Sequence, residues 1–239
     1  MDLLDYWNIA DTGLEIQNPV TEQKLALLED YCDLADGLRV LDIGCGKAWL
    51  LRHWADRHAI AATGIDINPH FLDFARGRPV GRGALTFALG PARGFDIAPE
   101  SFDIVVCLGA AAAIGEVPET LDAMVRAARP GGRIVFGDLV LRNPPAVPRG
   151  DILPPAINDM IAIVERHDTE VSATVSASDA DLERYASHQR HATLTWARRN
   201  PDHPDHAAVL ENSRRNWQHF QQHIRPMLGW SIFVARKVG

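Results

Sequence analysis

The chain reads as one α/β domain built on a doubly wound, mostly parallel sheet. Three observations predict this. Apolar, strand-like runs alternate with helical patterns between residues 39 and 140, the order expected of a parallel sheet with crossover helices. Residues 39–48, Arg-Val-Leu-Asp-Ile-Gly-Cys-Gly-Lys-Ala, carry an apolar run into two glycines spaced Gly44-x-Gly46 and then into a helix-forming stretch. The 239 residues are 46% hydrophobic without a compositional break, enough to bury one large core with an inserted subdomain.

The elements follow in order. Residues 21–32 read as an amphipathic helix, after a start containing Tyr6 and Trp7 and a loop through Asn18-Pro19. The run from Arg39 predicts a buried parallel strand, and the glycines a tight turn whose backbone can approach a ligand, with a helix N-terminus behind it. A helix is expected over 48–55 and a second strand over 61–67. Asn68-Pro69 then supplies an N-cap and a proline at the first helical position. The third strand is placed at 84–89, the fourth at 102–108, a helix at 118–128, and the fifth strand at 133–140 after the Pro130-Gly131-Gly132 turn. Beyond it, Asn143-Pro144-Pro145-Ala146-Val147-Pro148 is too proline-rich for helix. A helix over 155–166 and a sixth strand over 171–175 follow.

The turn points to a nucleotide-like cofactor, and its details indicate which kind. A dinucleotide site needs a small residue at the sixth position from Gly44, where this chain has Trp49. Asp42, two residues before the first glycine, sits badly beside a pyrophosphate and well beside an ammonium or sulfonium. A cationic, phosphate-free cofactor fits better. Asp66 lies about 20 residues past the turn at a strand end, where an acid accepts hydrogen bonds from ribose hydroxyls.

These residues resemble motif I of the class I S-adenosylmethionine (SAM)-dependent methyltransferases, an acid-x-G-x-G-x-G pattern in which Asp42, Gly44 and Gly46 match and Ala48 replaces the last glycine. Residues 102–107 and 128–135 resemble two further segments of that family. Asp5-Tyr6-Trp7, Cys107-Leu108-Gly109-Ala110 and Asp181-x-x-x-Tyr185 are similar to a bacterial subgroup acting on small molecules. The resemblance implies a Rossmann-like, seven-stranded sheet whose final strand, here 230–235, is antiparallel. It implies SAM as cofactor and S-adenosylhomocysteine as product, held by the turn (Asp42, Gly44, Cys45, Gly46), by Asp66 on the ribose and Ile67 on the adenine, and by backbone at Cys107, Leu108 and Gly109. Relatives often carry an acid for the adenine amino group after the third strand. This chain reads Gly90-Pro91-Ala92 there, so Gly90 is the remaining candidate and recognition falls to carbonyls, packing or a neighbour.

The expected division is residues 1–36 as an N-terminal helical cover, 37–177 as the cofactor core, 178–226 as a helical insertion and 227–239 as the final strand. An insertion of about fifty residues usually forms a lid or binding element. Ser178-Asp179-Ala180-Asp181 reads as a capping box opening a helix to Arg199, and a second helix is expected over 207–223. Their apolar stripes fit either core packing or a substrate wall containing Tyr185, His188, Gln189 and Trp196. Tyr6 and Trp7 are lid candidates, and Asp138, just past Gly137, is a pocket candidate at the strand end that faces the ligand crevice. His219 and His223 have helical i,i+4 spacing, but Phe220, Gln221 and Gln222 lie between, without the acid of a metalloprotease motif. No metal is expected, though one histidine can serve as general base.

The formal charge of −7 disfavours a nucleic-acid grip, although all basic residues except Lys24, Lys47 and Lys237 are arginine and can form a local patch. Cys32, Cys45 and Cys107 show no pairing pattern, which fits a reducing, cytoplasmic setting. The acidic start resembles no secretory signal, and no apolar run approaches a membrane span. The resulting expectation is an enzyme that moves a methyl group from SAM to a small-molecule nucleophile by in-line displacement. The alternatives are a different SAM reaction, such as cyclisation of the aminobutyryl arm, or a non-catalytic SAM-binding protein. Acceptor and oligomeric state are not readable.

Overall fold

The computed structural model describes residues 1–143 and 153–239. The proline-rich stretch expected over 143–148 falls outside the described residues except for Asn143. Seven strands form one sheet, β1 (Arg39–Ile43), β2 (Ala61–Asp66), β3 (Ala84–Leu89), β4 (Phe102–Leu108), β5 (Ala128–Leu141), β6 (Thr169–Ser176) and β7 (Leu228–Lys237). Their order is β3-β2-β1-β4-β5-β7-β6. Strands β1 to β5 are parallel, and β7 is antiparallel to both β5 and β6. The order reverses between β1 and β4, so a crevice opens beyond their carboxyl ends.

The helices are α1 (Leu3–Ala10), α2 (Glu22–Tyr31), α3 (Trp49–Arg57), α4 (Pro69–Arg76), α5 (Val117–Ala127), α6 (Ile157–Glu165), α7 (Asp179–Arg199), α8 (His206–His219) and the short α9 (Arg225–Met227). Alternation along β1 explains the two-sided core. Val40 joins Leu25, Leu28, Leu51 and Trp54 of α2 and α3 on one face, while Leu41 and Ile43 join Leu121, Met124, Met160 and Val164 of α5 and α6 on the other. Leu51 and Trp54 are fully buried, each stabilising the fold by about 1.5–3 kcal/mol.

Local chemistry sets several boundaries. The Asn68 side chain accepts from His70 N–H with Pro69 at the first helical position, as the sequence predicts. Helix α3 starts one residue later than expected because Ala48 is left-handed, at φ 55°. Strands β6 and β7 outrun their predicted ranges because the antiparallel ladder extends past them, and β5 starts earlier, through the expected Pro130-Gly131-Gly132 turn, because Ala128 pairs with Phe102 of β4. The helix expected over 207–223 is α8 followed by a π-helical turn at Phe220–Ile224.

The inserted α7–α8 hairpin is tied to the core. Ser178 Oγ accepts from Asp181 N–H at 3.2 Å, while Asp181 Oδ2 accepts from Ser178 N–H at 2.9 Å, the reciprocal cap read from the sequence. Lys24 Nζ on α2 reaches the same Asp181 Oδ2 at 2.6 Å and the Ser176 carbonyl at 2.8 Å. Asn216 on α8 donates to Tyr6 Oη at 3.1 Å, which docks α1 on the hairpin.

Candidate functional site

The turn after β1 is anchored to β2, because the Gly44 and Cys45 N–H groups both donate to the Ile65 carbonyl, at 2.8 and 3.0 Å. Gly44 and Gly46 have φ of 74° and 54°, and a side chain on either would collide with Ala110 or Gln17. Only glycine fits both demands. Asp66 closes the turn: its carboxylate accepts from Gly46 N–H at 2.7 Å and from Asn68 N–H at 2.8 Å. Burial pushes its proton affinity up, and those N–H groups oppose the shift.

Asp42 is 5% exposed. Among the described residues no donor reaches its carboxylate, and burial, then the nearby Asp66 charge, push it up to about 8. A buried carboxylate without a cation is costly, and one facing the crevice invites a positive ligand group. Ile67 and Leu89 lie at neighbouring strand ends, 54% and 53% exposed, as an apolar shelf. Gly90 N–H donates to the Asp66 carbonyl at 2.9 Å, and the Phe95 ring stands beside Gly90. On the far side, Cys107 and Leu108 are buried at the end of β4, and Gly109 N–H donates to the Gly137 carbonyl at 2.7 Å.

Residues 11–20 run as a strap across this crevice. Lys47 Nζ donates to the Asp11 and Leu14 carbonyls, each at 2.7 Å, and Lys47 N–H donates to Gln17 Oε1 at 2.8 Å. From α7, Tyr185 Oη donates to the Gln17 carbonyl at 3.0 Å, His188 Nε2 to the Thr12 carbonyl at 2.8 Å and Gln189 Nε2 to Asp11 Oδ1 at 2.8 Å. Glu15, Ile16, Gln17 and Asn18 roof a cavity of about 60 Å³ that has Asp42, Cys45 and Gly46 in its wall.

A larger cavity of about 500 Å³ lies under the α7–α8 hairpin and reaches Gly109. Its walls are Tyr6 and Trp7 of α1, Tyr185 of α7, Trp217 of α8, Phe220, and Trp230 of β7. Its polar groups are Gln17 and Asn18 of the strap, Asp138 on β5, Gln189 and Arg190 on α7, and Ser213, Asn216 and His219 on α8. Burial holds the Asp138 carboxyl above the usual range, against the Leu139 N–H that it accepts at 2.7 Å. Burial and the stacked His223, 5.0 Å away, hold His219 below its ordinary value.

The methyltransferase domain family matches residues 41–136. A SAM-dependent methyltransferase of Geobacter sulfurreducens, crystallised with S-adenosylhomocysteine, is 28% identical, covers 98% of both chains and superposes with a TM-score of 0.88. The chain belongs to the class I SAM-dependent methyltransferases. Among its other relatives, the uncharacterised YjhP of Escherichia coli K12 is 26% identical over 98% of each chain. A ubiquinone biosynthesis O-methyltransferase of Idiomarina loihiensis is 33% identical, over 51% of this chain and 49% of its own. The chain thus spans about half the length of that relative.

The methyltransferase uses SAM, and the crevice fits it. Glycine backbone, an unpaired buried carboxylate, an acid at the end of β2 and an apolar shelf suit its main chain, cationic, ribose and adenine parts in turn. The structure brings Asp42, Gly44, Cys45, Gly46, Asp66, Ile67, Gly90, Cys107, Leu108 and Gly109 around one crevice. It places Tyr6, Trp7, Asp138, Tyr185 and Gln189 on the adjoining cavity. His188 is a correction: its ring is spent on the Thr12 carbonyl and lines no part of that cavity. Trp196 also faces elsewhere, edge-on to His203 at 5.0 Å beside a second cavity that contains Lys47 and Phe74. Sequence reasoning missed Gln17, Lys47, Leu89 and Phe95, whose roles depend on chain crossings, and Arg190 and Trp217 as pocket groups. Among the described residues no group of three or more His, Cys, Asp or Glu could hold a metal ion, and no helix is long and apolar enough to cross a membrane.

Proposed function

We propose that this methyltransferase acts on a small-molecule nucleophile, which docks in the 500 Å³ cavity beneath the α7–α8 hairpin and meets the methyl group beside Gly109. The observation that carries this reading is the cavity itself: about 500 Å³, lined by six aromatic rings together with polar side chains, and reaching Gly109 just past the end of β4, the size and chemistry of a small-ligand site. A formal charge of −7 suits such an acceptor better than a polyanionic nucleic acid. The unpaired Cys32, Cys45 and Cys107 fit a reducing cytoplasm.

When bound, SAM supplies an electrophilic methyl on a sulfonium. The protein's contribution is alignment and exclusion of water. Asp42 would face the cationic amino-acid end, Gly44 to Gly46 would admit its backbone, and Asp66 would accept from the ribose hydroxyls. Ile67, Leu89 and Phe95 would cover the adenine, where Pro91 offers neither acceptor side chain nor N–H. The strap roofs the amino-acid end, and the hairpin closes the acceptor side.

Incubation with methyl-labelled SAM and fractionated metabolites should give a labelled product heavier than its acceptor by about 14 Da, the mass a transferred methyl adds. A product rearranged from SAM alone, with no acceptor gain, would indicate cyclisation chemistry. Tight S-adenosylhomocysteine binding without turnover on any acceptor would indicate a binding protein.

A further inference from the structure

The large cavity holds two opposite charges that the protein leaves unpaired. Asp138 lines it from β5, and among the described residues only the adjacent Leu139 N–H donates to its carboxylate. Arg190 sits on its roof in α7, where Nη1 donates to Ser213 Oγ at 2.8 Å. Among the described residues Asp138 meets no cation and Arg190 no carboxylate at ion-pair distance. The remaining titratable groups there are Tyr6, Tyr185 and His219. Burial raises the two phenols above their ordinary value, and burial with the neighbouring His223 lowers the His219 imidazole. One negative and one positive group therefore line the same cavity, whose walls include tryptophan, tyrosine and phenylalanine.

We propose that the acceptor is an apolar amine bearing an anionic group at its far end, with the nitrogen at Asp138, the anion at Arg190 and the body against Trp7, Trp217 and Trp230. This rests on the small-molecule methyltransferase reading above. The aromatic faces favour an ammonium, and Arg190 offers a planar fork to carboxylate or phosphate. An acceptor ionised at the reacting atom, such as a phenolate or carboxylate, would meet like charge at Asp138.

The reaction balances without another reagent. The incoming ammonium gives one proton to the Asp138 carboxylate. The freed nitrogen lone pair forms the N–C bond as the methyl C–S bond breaks, leaving a methylated ammonium and the neutral thioether. Burial, which raises the proton affinity of Asp138, suits it to take that proton.

The probes are phenylalanine, its phosphonic acid analogue, 2-phenylethylamine, 3-phenylpropanoate and catechol, each assayed with methyl-labelled SAM alongside S-adenosylhomocysteine calorimetry. N-methylation of phenylalanine or the phosphonic analogue is expected, at a kcat/KM at least tenfold above 2-phenylethylamine, with the last two probes at background. Whichever of the two anionic amines is faster identifies carboxylate or phosphate as the anion. Asp138→Asn should lower kcat at least a hundredfold with S-adenosylhomocysteine affinity unchanged within twofold. Arg190→Met should raise KM tenfold for the anionic amine and so abolish its advantage over 2-phenylethylamine. Preferred methylation of catechol or 3-phenylpropanoate, full kcat in Asp138→Asn, or no amine methylated while S-adenosylhomocysteine binds, would each overturn the proposal. If S-adenosylhomocysteine fails to bind, the underlying methyltransferase reading falls instead.

Discussion

Gly46 N–H donates to Asp66 Oδ2 at 2.7 Å, so the acid that ends β2 and the glycine turn that ends β1 form one unit. Each positions the other at the mouth of the crevice.

Replacing Asp66 with alanine therefore removes a brace on the turn and, on the reading proposed above, the ribose acceptor. Charged hydrogen bonds of this kind contribute roughly 1.5–3 kcal/mol each, so S-adenosylhomocysteine affinity should fall at least tenfold, by about 1.4 kcal/mol. Calorimetry checks this, with circular dichroism confirming that the variant folds. Unchanged affinity would remove Asp66 from the site.

Asp42 predicts an unusual pH dependence. Its folded pKa is pushed up to about 8, while an unfolded aspartate titrates near about 3.9. Between those values the folded chain binds more protons than the unfolded one, so this residue's contribution to stability is fully present below about pH 4 and declines until about pH 8. Asp42→Asn should raise the Tm of the cofactor-free protein more at pH 8 than at pH 5. A cationic ligand group beside Asp42 favours its ionised form, so SAM binding near pH 7 should release a proton, seen as a buffer-dependent binding enthalpy.

Ala48 occupies a left-handed conformation at φ 55° with no exposed surface. Ala48→Gly relieves about 1–2 kcal/mol of backbone cost and gives up a buried methyl of about 0.8 kcal/mol, so thermal unfolding should move little. Ala48→Val adds a branched carbon to a strained, filled position and should lower stability by over 2 kcal/mol. Equal effects of the two changes would refute the strain.

Lys47 fastens the strap by two hydrogen bonds to main-chain carbonyls, and burial lowers its pKa. Lys47→Met leaves the Leu14 carbonyl without the Lys47 donor, at about 1–3 kcal/mol, and the Asp11 carbonyl with the Leu14 N–H alone. Limited proteolysis should cut within residues 11–19 faster in the variant, with a lower Tm. An unaltered cleavage rate would show that the strap is held elsewhere.

Much of this was legible one segment at a time. The Ser178–Asp181 box, the Asn68-Pro69 helix start and strands β3 and β4 announce themselves through local hydrogen bonding and alternation, which a few residues determine. Asp42, Gly44, Gly46 and Asp66 were legible because spacing around a strand–turn–helix unit fixes their common location. His188 was misplaced because its helical position matches that of Tyr185 within one turn, while its hydrogen bond goes to a carbonyl in the strap, 176 residues away in sequence.

The sequence by itself determined the doubly wound sheet and the glycine turn, since those depend on periodicity and on contacts within one βαβ unit, and its resemblance to a known family supplied the cofactor. Only the tertiary structure decided which side chains line the large cavity together. Asp138, Arg190, Trp217 and Trp230 lie on four different elements, β5, α7, α8 and β7, and they meet only when the hairpin packs over the sheet. Gln17 and Lys47 likewise meet only when the N-terminal strap crosses the glycine turn. Local patterning cannot report such meetings, because long-range packing places one element against another and so selects which face of each helix lines the cavity.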